Sequence, residues 1–342
     1  MTQYTPKINT LRKRAQIIQS IRWFFIQQDF LEVDTPLFLA NPDPEPSILL
    51  FETTWQLGEL EKVGYLAPSP EFQMKKLLAA GSGPIFQICK SFRNCEPVTR
   101  LHNPEFTIME WYRPEADYRG LMVDCEKLVL EAWQAVDSKH GKKLRYQDLT
   151  LDMSTPWERL SVLEAFERYA GITEDEFFDV KKLRARAEEK GYRITDTTSY
   201  DDIFYQIMLN EVEPELGKTR PTFLYDYPAS QAALARLKPD DPRLAERFEL
   251  YIGNLEIANA FSELTDADEQ EKRLKAQLKA RKAEGLPAWD VDEQFISALK
   301  KGLPPTAGIA LGIDRLVMVL TDSGKMSEVV SYTGEEIFEI SI

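Results

Sequence analysis

Residues 84–114 read PIFQICKSFRNCEPVTRLHNPEFTIMEWYRP. Both arms of this stretch look extended, and a Pro-flanked loop joins them. Along the second arm, a period of two puts Phe106, Ile108, Glu110 and Tyr112 on one face and Thr107, Met109 and Trp111 on the other. The second face is plain core. The first carries a carboxylate and a phenol, and a buried glutamate calls for a partner. Arg93, Arg100 and Arg113 supply positive charge on the same pair of arms. A solvated face with a salt bridge is the plain alternative for this stretch taken alone.

Two further stretches change that balance. In 247–264, RFELYIGNLEIANAFSEL, Gly253-Asn254 is a short hairpin signal. With those two in the loop, Tyr251 faces Glu256, and Glu249 becomes a diagonal neighbour of Glu256 on one face. Two carboxylates so close call for a cation. Oxygen ligands suit Mg²⁺, and Mg²⁺ suits nucleotide phosphates. A solvated acidic ribbon is the alternative. In 308–318, GIALGIDRLVM, two glycines precede a helix whose first turn holds Arg315. Glycine lets a backbone approach a ligand, and arginine can grip a phosphate bidentately. No GxxxxGK[ST] P-loop occurs. Together, Arg93 and Arg315 offer positive charge, Phe106 a stacking face, and Glu110, Tyr112 and Glu263 a seat for a cationic group. The set describes a site for ATP, Mg²⁺ and an amine.

The bulk numbers agree. With 342 residues, 43% hydrophobic and 29% charged, the chain can bury a sizeable core. A net charge of −14 disfavours broad nucleic-acid binding, so no stable tRNA binding is expected. Two histidines nearly exclude a multi-His metal site or a His-centred triad. Three cysteines show neither metal spacing nor disulfide density. Without a signal peptide or an 18-residue apolar run, the expected setting is the cytoplasm, with no membrane partner.

The element order reads as α+β with a largely antiparallel sheet. An amphipathic helix is expected over 11–29, and a second opens at Ser69-Pro70-Glu71 with Ser69 as N-cap and Gly81 closing. A third spans 117–136. Residues 156–215 are expected to be a helical insertion, and further helices to cover 266–284 and 291–301.

The chain resembles class II aminoacyl-tRNA synthetases, specifically the lysyl branch. LRKRAQIIQSIRWFFIQQDFLEVDTP (11–36) resembles motif 1, residues 84–114 with SFRN…HNPEFTIMEWY motif 2, and 308–320, opening GIALGIDRLVM, motif 3. SPE at 69–71, Ala310 and YPASQAALA at 227–235 resemble the stand-alone paralogues that attach (R)-β-lysine to elongation factor P. The resemblance implies one catalytic domain over 1–342, an antiparallel sheet flanked by helices. Motif 1 begins near residue 11, so no anticodon-binding domain is expected. It also implies ATP and Mg²⁺ as cofactors, a homodimer, and lysine or (R)-β-lysine as substrate. Arg93 and Arg315 would be catalytic. Asn94, Glu96, His102, Asn103, Phe106, Glu256, Ile257 and Gly312 would join them around ATP. Glu249 and Glu256 would hold the metal. Ser69, Pro70, Glu71, Glu110, Tyr112, Asn259, Glu263 and Ala310 would form the amino-acid pocket. Cys95 departs from the family's FRNE wording by standing between Asn94 and Glu96. A minimal lysyl-tRNA synthetase and an inactive amino-acid-binding paralogue are the rival readings.

Overall fold

The computed structural model describes residues 5–95, 99–139 and 141–340, with backbone alone for 5 and 6. The chain forms two compact units, Met1–Lys139 with Ser262–Ile342, and His140–Phe261. In chain order the elements are α1 (Thr5–Ile26), β1 (Leu31–Glu32), β2 (Phe38–Leu39), β3 (Glu52–Leu57), β4 (Leu60–Leu66), α2 (Glu71–Ala79), β5 (Ile85–Phe92), β6 (Glu105–Pro114) and α3 (Tyr118–Val136). Then come β7 (Lys143–Tyr146), β8 (Leu149–Asp152), β9 (Glu158–Ser161), α4 (Val162–Ala165), α5 (Glu174–Phe177), α6 (Val180–Glu189), α7 (Tyr200–Ile207), β10 (Thr222–Pro228), β11 (Leu244–Ile252) and β12 (Leu255–Ser262). The chain closes with α8 (Ala267–Ala283), α9 (Glu293–Gly302), β13 (Thr306–Gly312), α10 (Ile313–Leu320) and α11 (Gly334–Phe338).

In the first unit, β6 pairs antiparallel with β5 on one side and β13 on the other, and β1 lies parallel to β5. α1 covers one face. Its Ile17, Ile21, Phe24 and Phe25 are buried at helical spacing. Phe25 stacks on Phe86 with centroids 5.1 Å apart and leans on Trp111 at 5.2 Å. The face of β6 with Met109 and Trp111 is therefore core, as its alternation predicts. The opposite face, with Ile108, Glu110 and Tyr112, is left for chemistry.

The start of α2 differs from the expectation. Pro70, not Ser69, occupies the N-cap position and makes no side-chain cap. The Ser69 hydroxyl instead accepts from the Glu71 amide at 3.3 Å, because it stands one residue further out and reaches only two residues on. α3 follows the rule: Asp117 caps it, accepting from the Arg119 and Gly120 amides.

In the second unit β12, β11 and β10 are antiparallel, with β9 parallel to β10. The expected helical segment thus begins as a strand, and helices start only at Val162. They bury Phe166, Phe177 and Phe204 against one another and against Leu224. The β11–β12 hairpin turns on Gly253 and Asn254, each with φ of 63°, as a two-residue primed turn requires. Tyr251 pairs with Glu256 and Ile252 with Leu255, as predicted. A bulge between Leu250 and Tyr251 then shifts the ladder, so Glu249 faces Asn259.

Candidate functional site: a buried acidic pocket

Across β5, β6 and β13, Gln87, Glu110 and Ala310 stand in register, and Ile85, Tyr112 and Gly308 form the next row on the same face. Glu110 is 1% exposed. Its Oε2 accepts from the Tyr112 hydroxyl at 2.8 Å. α2 adds Glu71 and, one turn on, Lys75. The Lys75 Nζ lies 2.5 Å from Glu71 Oε1 and 2.5 Å from Glu263 Oε2, fully out of water. Glu263 follows β12, and its amide donates to Thr306 O at 2.9 Å. Gly308 leaves the room this needs, since a Cβ there would overlap Glu263 Oε1 and the Tyr112 ring.

Three carboxylates (Glu71, Glu110, Glu263) thus share one ammonium. Burial, then the charge of Glu71, pushes the Glu110 carboxyl well up, against the Tyr112 hydroxyl and Lys75. Burial pushes Glu263 up to about 8, although Lys75 pulls it down. Burial works against the charge of Lys75, but Glu263 and Glu71 outweigh it and hold the ammonium above its ordinary value. The lysine stays charged and the glutamates compete for it, which is why both directions hold. Tyr112 is pushed up by burial and by Glu110. Oε1 of Glu110 has no hydrogen bond, and Glu263 has its ion pair to Lys75 at Oε2 but no hydrogen-bond partner at Oε1. Neither end of the Gln87 amide is bonded either, at 1% exposure. Each such atom costs about 1–3 kcal/mol, so this face is built to be completed by hydrogen-bonding groups from outside, donors to the carboxylates among them.

At the edge of the cluster, Asp43 and Ser69 line a cavity of about 10 Å³, the room of one water. The loop carrying Asp43 is clamped by Arg281, whose Nη1 donates to Glu45 O and Ile48 O, both at 2.8 Å.

The residues expected around a nucleotide lie at the other end of β5 and β6. The Arg93 guanidinium stands over the Phe106 ring, 5.2 Å from its centroid. His102 meets Arg315, with Nε2 and Nη2 3.0 Å apart, while its Nδ1 is 2.9 Å from the Thr99 hydroxyl. An imidazole that accepts at Nε2 carries its proton at Nδ1 and donates it to Thr99. Gly312 is the N-cap of α10. Asn94 bonds through its amide to Leu49 O. The Asn103 side chain is used locally, donating to Glu105 O at 2.5 Å and accepting from the Gly334 amide at 2.8 Å. Glu96 lies outside the described residues.

Glu249, Glu256, Ile257 and Asn259 belong to the second unit. Glu249 accepts from Arg247 Nη2 and from the Tyr251 hydroxyl, both at 2.6 Å. Arg247 Nε also reaches Asn259 Oδ1 at 3.2 Å. Among the described residues no group of three or more His, Cys, Asp or Glu is placed to cage a metal.

Lys75, Gln87 and Arg247 escaped the sequence reading. Lys75 had a signal, its one-turn spacing from Glu71. Gln87 had another, the polar alternation Gln87, Cys89, Ser91 along β5.

A family model described as tRNA synthetases class II (D, K and N) matches residues 4–336. The chain is 39% identical to the protein named elongation factor P–(R)-β-lysine ligase of Salmonella arizonae, covering 97% of both. It is 41% identical to the protein of the same name from Hamiltonella defensa, again over 97% of both.

Proposed function

We propose, starting from the fact that the chain belongs to the class II tRNA synthetases of the D, K and N kind, that it activates (R)-β-lysine with ATP and transfers it to a lysine of elongation factor P. The observation that carries this is the pair of half-satisfied buried glutamates, Glu110 and Glu263, in a cluster of three carboxylates and one ammonium. With all three carboxylates ionised, such a cluster is short of two positive charges. A diamino acid brings two ammonium groups. The names of the relatives support the same substrate and acceptor for them.

The reaction has two steps. The amino-acid carboxylate attacks the ATP α-phosphorus, forming an aminoacyl-adenylate and releasing pyrophosphate. The acceptor lysine's neutral ε-amine then attacks the carbonyl carbon, AMP leaves, and the amine sheds a proton. Such chemistry depends on positioning and on offsetting charge more than on a base, which suits a chain with two histidines. Arg93 offsets charge on the α-phosphate, and Arg315, steadied by His102, takes the γ-phosphate. Phe106 stacks on adenine. Glu110, Tyr112 and Glu263 hold the substrate's ammonium groups and exclude water. In the second unit, Glu249 and Glu256 would hold Mg²⁺, which would supply charge neutralisation to a nucleotide. Incubating elongation factor P with this protein, ATP and either (R)-β-lysine or L-α-lysine, followed by mass spectrometry, tests the reading. A mass gain of one lysyl group on the factor is expected, and its absence with both isomers would sink the reading.

A further inference from the structure

Lys75 sits where a substrate ammonium is expected to be attracted, yet it belongs to the chain. It is 1% exposed and touches Glu71 from its own helix and Glu263 from the segment after β12. Glu263 therefore has one oxygen spent on Lys75 and the other, Oε1, directed to Tyr112 and Gly308 without a hydrogen bond. The other ionisable groups bearing on this cluster are Glu110 and Tyr112 from β6 and Asp43 from the loop before β3. Cys89 of β5 bears on Glu110. Apart from Lys75, every one of these is an acid.

We infer that Lys75 is a positioning residue of the amino-acid pocket: its ammonium stands between Glu71 and Glu263, offsets their mutual repulsion and turns the open oxygen of Glu263 to the substrate's ammonium. The inference deepens the diamino-acid reading and rests on it. Without Lys75, two carboxylates face each other in a nearly dry space with a third beside them. One of them then takes up a proton. Glu263, raised by burial even beside Lys75, then holds its proton to still higher pH, and the pH range in which it attracts an ammonium with full charge moves up.

The test is ATP–pyrophosphate exchange driven by (R)-β-lysine and L-α-lysine, followed from pH 6 to 9. In Lys75→Met at pH 7, KM for the amino acid is expected to rise about tenfold or more while KM for ATP stays within about twofold, and the pH of half-maximal kcat/KM for the amino acid to move up by about one unit. In Lys75→Met/Glu71→Gln, one carboxylate is removed with the ammonium, and that midpoint is expected to return toward wild type. Lys75→Arg, which keeps the charge and covers the case in which methionine prevents folding, is expected to hold the wild-type midpoint. A raised KM with an unmoved midpoint in Lys75→Met makes Lys75 a packing residue and overturns the inference. So does a midpoint that moves as far with arginine as with methionine. If wild type exchanges with neither lysine, the diamino-acid reading itself falls; exchange in wild type with an unaltered Lys75→Met removes only the role given to Lys75.

Discussion

Arg14 Nη1 lies 2.5 Å from Asp314 Oδ1, and Nη2 of the same guanidinium donates to Thr107 Oγ1 at 2.8 Å. Asp314 Oδ2 in turn accepts from the Thr107 amide at 2.7 Å. One residue from each of the three segments picked out in the sequence thus closes a single buried network. Asp314 keeps 3% side-chain exposure. Arg14→Ala leaves that carboxylate buried and short of its cation, and is expected to cost about 3–5 kcal/mol of stability. Urea unfolding checks it; a loss under about 1 kcal/mol, the size of a surface pair, would place the network among ordinary salt bridges.

The carboxyl of Glu263 gives a pH signature. Its value stands near 8 in the folded protein, against about 4.3 in an unfolded chain. Between those values the folded state holds a proton that the unfolded state has lost, so stability falls as pH rises from about 4 to 8. Glu263→Gln cannot titrate. Its melting temperature is expected to fall less than that of wild type between pH 5 and 8 without substrate, with the remaining slope due in part to Glu110. Calorimetric scans at three pH values decide it, and equal slopes would contradict the assignment.

Substrate choice is predicted to turn on Ala310, which pairs with Glu110 across β6 and β13. Its methyl takes space beside the carboxylate that would hold an α-amine. Ala310→Gly is expected to move the preference toward L-α-lysine by up to about 1–3 kcal/mol in relative kcat/KM. An unchanged ratio would leave discrimination to Ser69 or Gln87.

The exposed side of α1 predicts self-association. Trp23 is 57% and Ile26 48% exposed, one turn apart, on the helix that the family reading assigns to a two-fold interface. Light scattering is expected to give twice the 39.4 kDa chain mass, and Trp23→Asp to shift it toward the monomer. A wild-type monomer at micromolar concentration would refute the dimer.

Much of this arrangement is legible in the sequence. Alternation separated Trp111 from Tyr112, and Gly253-Asn254 announced its turn because few other pairs accept two positive φ angles. The bulge after Leu250 carries no marker residue, so the register of Glu249 could not be read. Lys75 was hidden for a different reason. A lysine four residues after a glutamate reads as a surface pair, and only Glu263, arriving from far along the chain, makes it a buried one. Asn103 shows the converse: a residue beside the expected nucleotide site spends its amide on the chain's own Glu105 and Gly334.

Gly308 binds the histories of three positions together. A side chain there is barred by Glu263 and by the Tyr112 ring at once, and Tyr112 is itself tied to Glu110. No single step away from glycine is open while both neighbours remain. A lineage that abandoned the acidic pocket would have to lose Glu263 and Tyr112 first, and glycine would be released only afterwards. Among diverged copies, a larger residue at 308 is therefore expected only beside a changed Glu263 and Tyr112.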